Sequence, residues 1–135
     1  MRKITIVIIC IMLITTFSCI FPIKIMVAGP PDDPSNPDPA DNSKNVSINI
    51  DLRWTCDDPD PGDELLFDVY FGKTSSPPIV NENQSDFSYN PGQLAYNTSY
   101  YWRIIAWDKT NVSTDGPLWN FTTVIQPNQP PETPG

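Results

Sequence analysis

The sequence contains no histidine, and it is poor in cysteine and in basic residues. Without histidine, the chain lacks the side chain that most often serves as a general base and as a metal ligand. Of the three cysteines only Cys56 lies beyond residue 28, so that part of the chain forms no intrachain disulfide. We interpret Cys56 as a small buried hydrophobe rather than a reactive thiol.

Basic residues are scarce beyond residue 28, where 16 acidic residues stand against five basic ones and the net charge is −11. Such a domain lacks the basic surface with which proteins hold phosphates, so nucleic acid is excluded as a partner. Long helices are disfavoured as well, because most of the 16 prolines occur in clusters that interrupt the chain.

The long hydrophobic run of the sequence lies at its N-terminus. Arg2 and Lys3 precede an uncharged stretch of 18 residues, 4–21, and a basic start followed by an apolar run is typical of a secretory signal. A cleaved signal peptide would comprise residues 1–28, with Ala28 as the small residue before the cut. The stretch is also just long enough to span a membrane, so an uncleaved anchor is the main alternative, and lipid attachment at Cys19 is a third. In the two main cases we expect the remainder to be extracellular, either secreted or anchored to the cell surface, with membrane contact only through residues 4–21 if they are retained.

Proline-rich segments predict the limits of the folded domain. We expect a linker at 29–39, a β-sandwich at 40–125 and a second linker at 126–135. The two segments have similar composition and lie 100 residues apart, about the length of one sandwich with its linker. The second linker is therefore a possible start of a next repeat.

Alternating apolar and polar residues between these segments predict β-strands. Every second residue is apolar from Ile48 to Cys56, and the pattern recurs in 65–71 and 100–107 and more briefly in 87–89 and 119–123. Short strands separated by turn sequences indicate an all-β fold, a seven-stranded antiparallel Greek-key β-sandwich. Its inward residues are largely aromatic, which is enough for one core without disulfides.

The stretch 94–106 resembles the signature of fibronectin type III domains, which are immunoglobulin-like sandwiches. The family pattern is Leu-x-Pro-x-Thr-x-Tyr-x-apolar-Arg-apolar-x-Ala, and Tyr96 stands where proline is usual. The other signature positions match, and they are Leu94, Thr98, Tyr100, Arg103 and Ala106. Residues 116–123 are similar to the final strand of prokaryotic members found on surface proteins.

The resemblance implies structural roles for three residues. Trp54 stands where the family keeps a tryptophan in its second strand, strand B, and Leu94 and Tyr100 belong to the signature. In Greek-key sandwiches the tyrosine hydroxyl bonds back to the backbone a few residues upstream, so we expect Tyr100 to contact the stretch 94–97. Family members are mostly spacers and adhesion modules, which implies the same class of role here.

An acidic turn joins the first two long predicted strands. Five carboxylates fall within eight residues: Asp57, Asp58, Asp60, Asp63 and Glu64. We predict no cofactor, with Ca²⁺ as the one possible exception, because crowded oxygen ligands suit this ion and Asp108 or Asp115 could complete its shell. A solvated, aspartate-rich turn is the alternative interpretation.

Two further sets of residues are candidates for contact with other molecules. An outward-facing apolar set, if the alternation holds, could bind sugar rings or a protein partner, and its members are Tyr70, Tyr101, Ile105, Trp107 and Leu118. The alternative is cross-strand pairing, with Asp68 opposite Arg103. Five N-glycosylation sequons begin at Asn45, Asn83, Asn97, Asn111 and Asn120. Asparagine-rich turn and strand chemistry is the alternative explanation of these sequons.

These observations predict a non-catalytic extracellular module that acts as a spacer or as an adhesion or display domain. No nucleophile with a neighbouring base and no phosphate-binding glycine-rich loop is found in the sequence. The alternatives are a carbohydrate- or protein-binding module that uses the aromatic face, and an accessory domain of a secreted hydrolase. The expected partners are other extracellular domains, proteins or glycans.

Overall fold

A computed structural model of the chain describes residues 29–60, 62 and 64–128. These residues form strands without helices, so none of them belongs to a helix that could cross a membrane. The predicted signal peptide or anchor, residues 1–28, lies outside the described residues, as does most of the second predicted linker. The strands are β1 (Ser35–Asp38), β2 (Ser43–Val46), β3 (Leu52–Thr55), β4 (Leu66–Gly72), β5 (Ile79–Gln84), β6 (Ser88–Tyr89), β7 (Ser99–Trp107), β8 (Ser113–Asp115) and β9 (Trp119–Thr123).

The strands form two sheets packed face to face. The smaller sheet has the order β1-β3-β6, and the larger has the order β2-β9-β7-β4-β5 with β8 also paired to β7. The predicted all-β sandwich is therefore confirmed. The pairs are antiparallel, as predicted, except that β2 runs parallel to β9. The cause is that the chain leaves β1 in the smaller sheet and crosses to the far edge of the larger one.

Prolines separate two pairs of consecutive strands. Buried Pro39 lies between β1 and β2, and Gly116 and Pro117 lie between β8 and β9, of which β9 matches the last predicted strand, 119–123. Proline cannot donate a hydrogen bond to a neighbouring strand, so it interrupts the ladder at both places. Gly116 lies so close to β7 that a Cβ there would be 2.7 Å from the carbonyl oxygen of Ile104.

The core lies between the sheets and follows the predicted alternation. Trp102, on β7, is fully buried and contacts Trp119 in its own sheet and Trp54 of the opposite sheet. Trp54 also meets Phe67 edge-on, with ring centroids 5.5 Å apart. Burying each large apolar side chain contributes about 1.5–3 kcal/mol, so this aromatic cluster supplies much of the stabilisation.

The linker predicted at 29–39 is largely part of the domain, and the boundary at residue 40 is therefore wrong. β1 pairs with β3, and Pro31, Pro34 and Pro39 are buried. The backbone N–H of Asp32 donates to the carbonyl of Asp57 at 2.9 Å. Prolines are tolerated in an edge strand because its outer N–H groups need no partner strand, so composition alone did not distinguish this strand from a linker.

The described chain begins at one end of the sandwich and leaves from the other. Near its start, the carbonyl of Pro31 accepts a hydrogen bond of 2.6 Å from the hydroxyl of Thr114, beside the C-terminal end of β7. Near its finish, the carbonyl of Val124 accepts a hydrogen bond of 2.8 Å from the N–H of Asn97, just before β7 begins. The nine residues of β7 separate these two ends, a length of about 30 Å.

Candidate functional site

The outward face of β4 and β7 carries most of the predicted aromatic set. Tyr70, Tyr101 and Trp107 are half-buried, Leu118 is 41% exposed and Ile105 is only 8% exposed. Ile105 is thus too buried to contact a partner. The set is split between two clusters rather than gathered into one patch.

The first cluster centres on Arg103. Its guanidinium carbon lies 4.8 Å from the ring centroid of Tyr70, which faces it across the strand pair. A guanidinium nitrogen lies 3.8 Å from a carboxylate oxygen of Asp115. Together with Leu118 and the turn at 75–77, Arg103 lines a cavity of about 200 Å³. This arrangement stabilises the sheet through a cation–π contact and a partly exposed ion pair.

The second cluster centres on Asp68. One carboxylate oxygen accepts a hydrogen bond of 2.8 Å from the indole N–H of Trp107, and the other accepts one of 2.9 Å from the backbone N–H of Asn83. Asp68 faces Ile105 across the pair, so the prediction that it stands opposite Arg103 is wrong. The guanidinium of Arg103 and the indole N–H of Trp107 therefore both interact with other residues of the same sheet. This is the cross-strand pairing that the alternative interpretation predicted.

The acidic turn lies at the end of the sandwich where the described chain begins. Asp57, Asp58, Asp60 and Glu64 line a cleft of about 650 Å³ together with Leu65, Leu66 and Phe87, and Asp63 lies outside the described residues. One oxygen of Asp58 accepts the N–H of Asp60 at 2.7 Å, and Asp60 in turn accepts the N–H of Gly29 at 2.7 Å. The remaining oxygen of Asp58 is buried and has no hydrogen-bond partner among the described residues.

Both residues expected to complete a calcium shell have other partners. The buried carboxylate of Asp108 accepts hydrogen bonds from the backbone N–H groups of Thr110 and Val112 and from the Thr110 hydroxyl. Burial alone would raise the pKa of Asp108, but these hydrogen bonds outweigh it and hold the pKa below its usual value. Asp115 pairs with Arg103. Within the described part of the chain, no group of three or more acidic or cysteine side chains converges as a metal site, and calcium binding at the turn stays a prediction.

The environment of Cys56 makes its thiol unreactive. The side chain is buried, and its S–H donates to the carbonyl of Asp32 at 3.1 Å. Burial, followed by the charges of nearby aspartates, chiefly Asp32, raises the pKa of Cys56 to about 11. At neutral pH the thiol is therefore protonated and acts as a small hydrophobe.

The sequon asparagines have a conformational explanation. Four of the five, Asn45, Asn83, Asn97 and Asn111, have φ between 46° and 61°. Among non-glycine residues asparagine tolerates this left-handed conformation best, so backbone geometry alone favours it at these positions. The fifth, Asn120, uses its side-chain amide to donate to Asp41 and Asn42. Glycosylation of the sequons stays a prediction.

Tyr100 joins the loop before β7 to the core. Its hydroxyl accepts a hydrogen bond of 3.0 Å from the N–H of Ala95, within the stretch where the resemblance placed it. The Thr123 hydroxyl donates to the carbonyl of Ala95 at 2.7 Å and accepts the N–H of Thr98 at 3.0 Å. Leu94 and Trp54 are buried in the core. The role of Thr123 was missed, because no local pattern links it to a loop 25 residues upstream.

No protein-family model matches the chain, and no curated protein matches its sequence. Solved structures do match its fold. The chain is similar to part of an α-L-rhamnosidase from Dictyoglumus thermophilum, with a TM-score of 0.58 and 13% identity, over 75% of this chain but only 13% of that one.

Two human domains match over nearly their whole length. The sixth fibronectin type III domain of human fibronectin type III domain containing protein 3 has a TM-score of 0.56 and 17% identity, covering 80% of this chain and 97% of that one. A second structure, of the fibronectin type III domain of human fibronectin type III domain containing protein 3, has a TM-score of 0.52 and 19% identity, covering 78% of this chain and 99% of that one. With its two sheets and its tyrosine-anchored loop, the chain therefore has the fold of a fibronectin type III domain, an immunoglobulin-like β-sandwich.

Proposed function

We propose that this chain is an exported, non-catalytic β-sandwich module that acts as a spacer or display domain of a cell-surface or secreted protein. The observation that carries the proposal is that the described chain begins and leaves at opposite ends of the sandwich. A domain connected in this way adds its full length, about 30 Å along β7, to the distance between its neighbours.

Both ends of the domain are fixed to the sandwich, as a spacer requires. Asp32 is hydrogen-bonded to Asp57, and Pro31 is hydrogen-bonded to Thr114. At the other end, Val124 bonds to Val46 through its N–H and to Asn97 through its carbonyl. Attached domains would therefore be held at defined positions rather than on loose tethers.

Export is supported by the basic start and apolar run of residues 2–21. The strong negative charge of the remainder also suits a soluble surface domain that avoids nucleic acid and anionic lipid.

A second candidate function is that of an accessory domain of a secreted hydrolase. It is favoured by the likeness to a domain-sized portion of the rhamnosidase, because the match covers only 13% of that much longer protein. Binding through the aromatic face has less support, because Arg103 and Trp107 already bond within the sheet.

The spacer role can be tested by measuring height above a membrane. A fluorescent reporter is placed after residue 128, a membrane anchor is placed before Gly29, and energy transfer to a membrane dye is compared for zero, one and two copies of residues 29–128. We expect transfer to fall with each copy, because each adds about 30 Å. Equal transfer from all three proteins would contradict the spacer role.

Variants of the same proteins distinguish the spacer role from binding through the aromatic face. Tyr101→Ser and Leu118→Ser change the exposed part of the aromatic face and should leave the reporter height unaltered. If the domain binds to a glycan array and these two substitutions abolish that binding, the domain is instead a binding module.

A further inference from the structure

The first described residue is held by the acidic turn. The backbone nitrogen of Gly29 donates to a carboxylate oxygen of Asp60 at 2.7 Å, a contact between residues 31 positions apart. Both residues are partly buried, so water screens this contact less than it screens a surface pair.

The neighbouring chain holds Gly29 in place. Pro31 is buried and accepts a hydrogen bond from Thr114, and Asp32 is bonded both to Asp57 and to the thiol of Cys56. The nitrogen of Gly29 is therefore positioned by contacts within three residues of it, and little conformational entropy remains to be lost when it binds Asp60.

Gly29 is also the residue that follows the predicted cleavage site at Ala28. Within an uncleaved chain its nitrogen is a neutral amide with one N–H. After cleavage it is an α-ammonium group with a full positive charge and three N–H donors. Hydrogen bonds of ionised donors to carboxylates are about twice as strong as neutral ones.

We propose that cleavage of the Ala28–Gly29 bond creates an α-ammonium group that Asp60 binds as an ion pair, so that the acidic turn is a built-in site for the mature N-terminus. The inference rests on the proposed function, in which the chain is exported, and on cleavage of residues 1–28 as a signal peptide. In the cleavage step water adds across the peptide bond, Ala28 leaves as a carboxylate and Gly29 becomes the ammonium group.

The charge environment of the turn favours this product over the precursor. Asp57, Asp58, Asp60 and Glu64 line one cleft, and the negative charge that they place on the turn attracts a cation at Asp60. Asp58 has a buried oxygen without a partner among the described residues, a further acceptor on the same turn. The mature domain is consequently more stable than the same domain in its precursor.

A thermodynamic cycle tests the ion pair. The mature chain 29–135 is prepared with a free or an acetylated N-terminus, each with Asp60 or with Asp60→Asn, and thermal unfolding is measured at low salt. We expect acetylation to lower the Tm of the Asp60 protein by about 2–5 °C and to have little effect in Asp60→Asn. The difference should shrink in about 1 M NaCl, where the Debye length is about 3 Å.

Two matched variants control for other effects of charge and shape. Asp57→Asn removes the same charge from the same turn, and it should leave the effect of acetylation intact. Gly29→Ala keeps the ammonium group and adds a methyl 3.5 Å from Pro59, an ordinary contact, so it should also retain the effect.

Two failures are distinguishable. If acetylation lowers the Tm equally with Asp60 and with Asp60→Asn, the ion pair is refuted while export stands. If mass spectrometry shows that the exported chain begins at a residue other than Gly29, the processing step is refuted and the inference falls with it. A chain that begins at Gly29 and loses the effect of acetylation in Asp60→Asn supports both.

Discussion

Replacing Tyr100 with phenylalanine removes one hydroxyl group and leaves the ring. The ring stacks on Phe71 at a centroid distance of 5.1 Å and on Phe121 at 5.7 Å, and both contacts survive the change. The lost group is the acceptor of the Ala95 N–H. The variant therefore isolates one hydrogen bond that holds the loop before β7.

The expected cost follows from the fate of the Ala95 N–H. A hydrogen bond contributes about 0.5–1.5 kcal/mol, and leaving a buried donor unpaired costs about 1–3 kcal/mol. The bond is partly buried, so water can reach the N–H in part, and we expect a loss of about 1–2 kcal/mol. For a domain of this size the corresponding fall in Tm is roughly 4–16 °C.

Urea denaturation measures the loss, and an unchanged m value shows that only stability has altered. Tyr101→Phe makes the same chemical change one residue away on the outer face and should stay within about 0.5 kcal/mol of the original protein. Thr123→Val removes the hydroxyl that donates to the carbonyl of Ala95. Because both hydroxyls hold one loop, the loss of stability in the double variant with Tyr100→Phe should differ from the sum of the losses in the two single variants. A Tyr100→Phe protein as stable as Tyr101→Phe would refute the reasoning.

Three further predictions concern conformation, ionisation and metal. Asn111 has φ of 61°, so Asn111→Gly should be nearly neutral and Asn111→Ala should cost about 1 kcal/mol in the same denaturation assay; equal costs would contradict a conformational role. The fold raises the pKa of Cys56 from 9.0 to about 11, so the thiol ionises at a lower pH in the unfolded chain than in the folded one. The free energy of unfolding should therefore fall as pH rises from 9 to 11, and by more than in Cys56→Ala. Identical pH profiles of the two proteins would contradict this. If the acidic turn binds Ca²⁺ with the weak affinity of extracellular modules, about 10 mM Ca²⁺ should raise the Tm by several degrees relative to a sample with chelator. An unchanged Tm would mean that the acidic turn is only a solvated turn.

The local features of the fold were predictable and the long-range ones were not. Alternation placed Tyr100, Trp102 and Ile104 inward because a strand facing one core must alternate, whatever its neighbours are. The register between β4 and β7 was misjudged by two residues, since it depends on turns that the sequence does not specify. Pairing of β2 with β9 joins segments far apart in the chain, and no local pattern predicts it.

The candidate site shows the same division. The acidic turn and the sequons are visible as short motifs, but their partners are not. The contact of Asp60 with Gly29 spans 31 residues, and that of Trp107 with Asp68 spans 39. Even the left-handed conformation of Asn83 is set by its place in an irregular edge strand, where β5 pairs with β4 through shifts of register.

The separation between the two ends of the domain tests the spacer account most directly. Spin labels at cysteines introduced for Pro30 and Gln126, both exposed, in a chain carrying Cys56→Ala, would report that distance by pulsed electron resonance. The account predicts one narrow distribution centred at about 30 Å or more, the length of β7. A distribution centred below about 20 Å, or one as broad as that of a flexible tether, would contradict the claim that the chain passes through this domain from one end to the other.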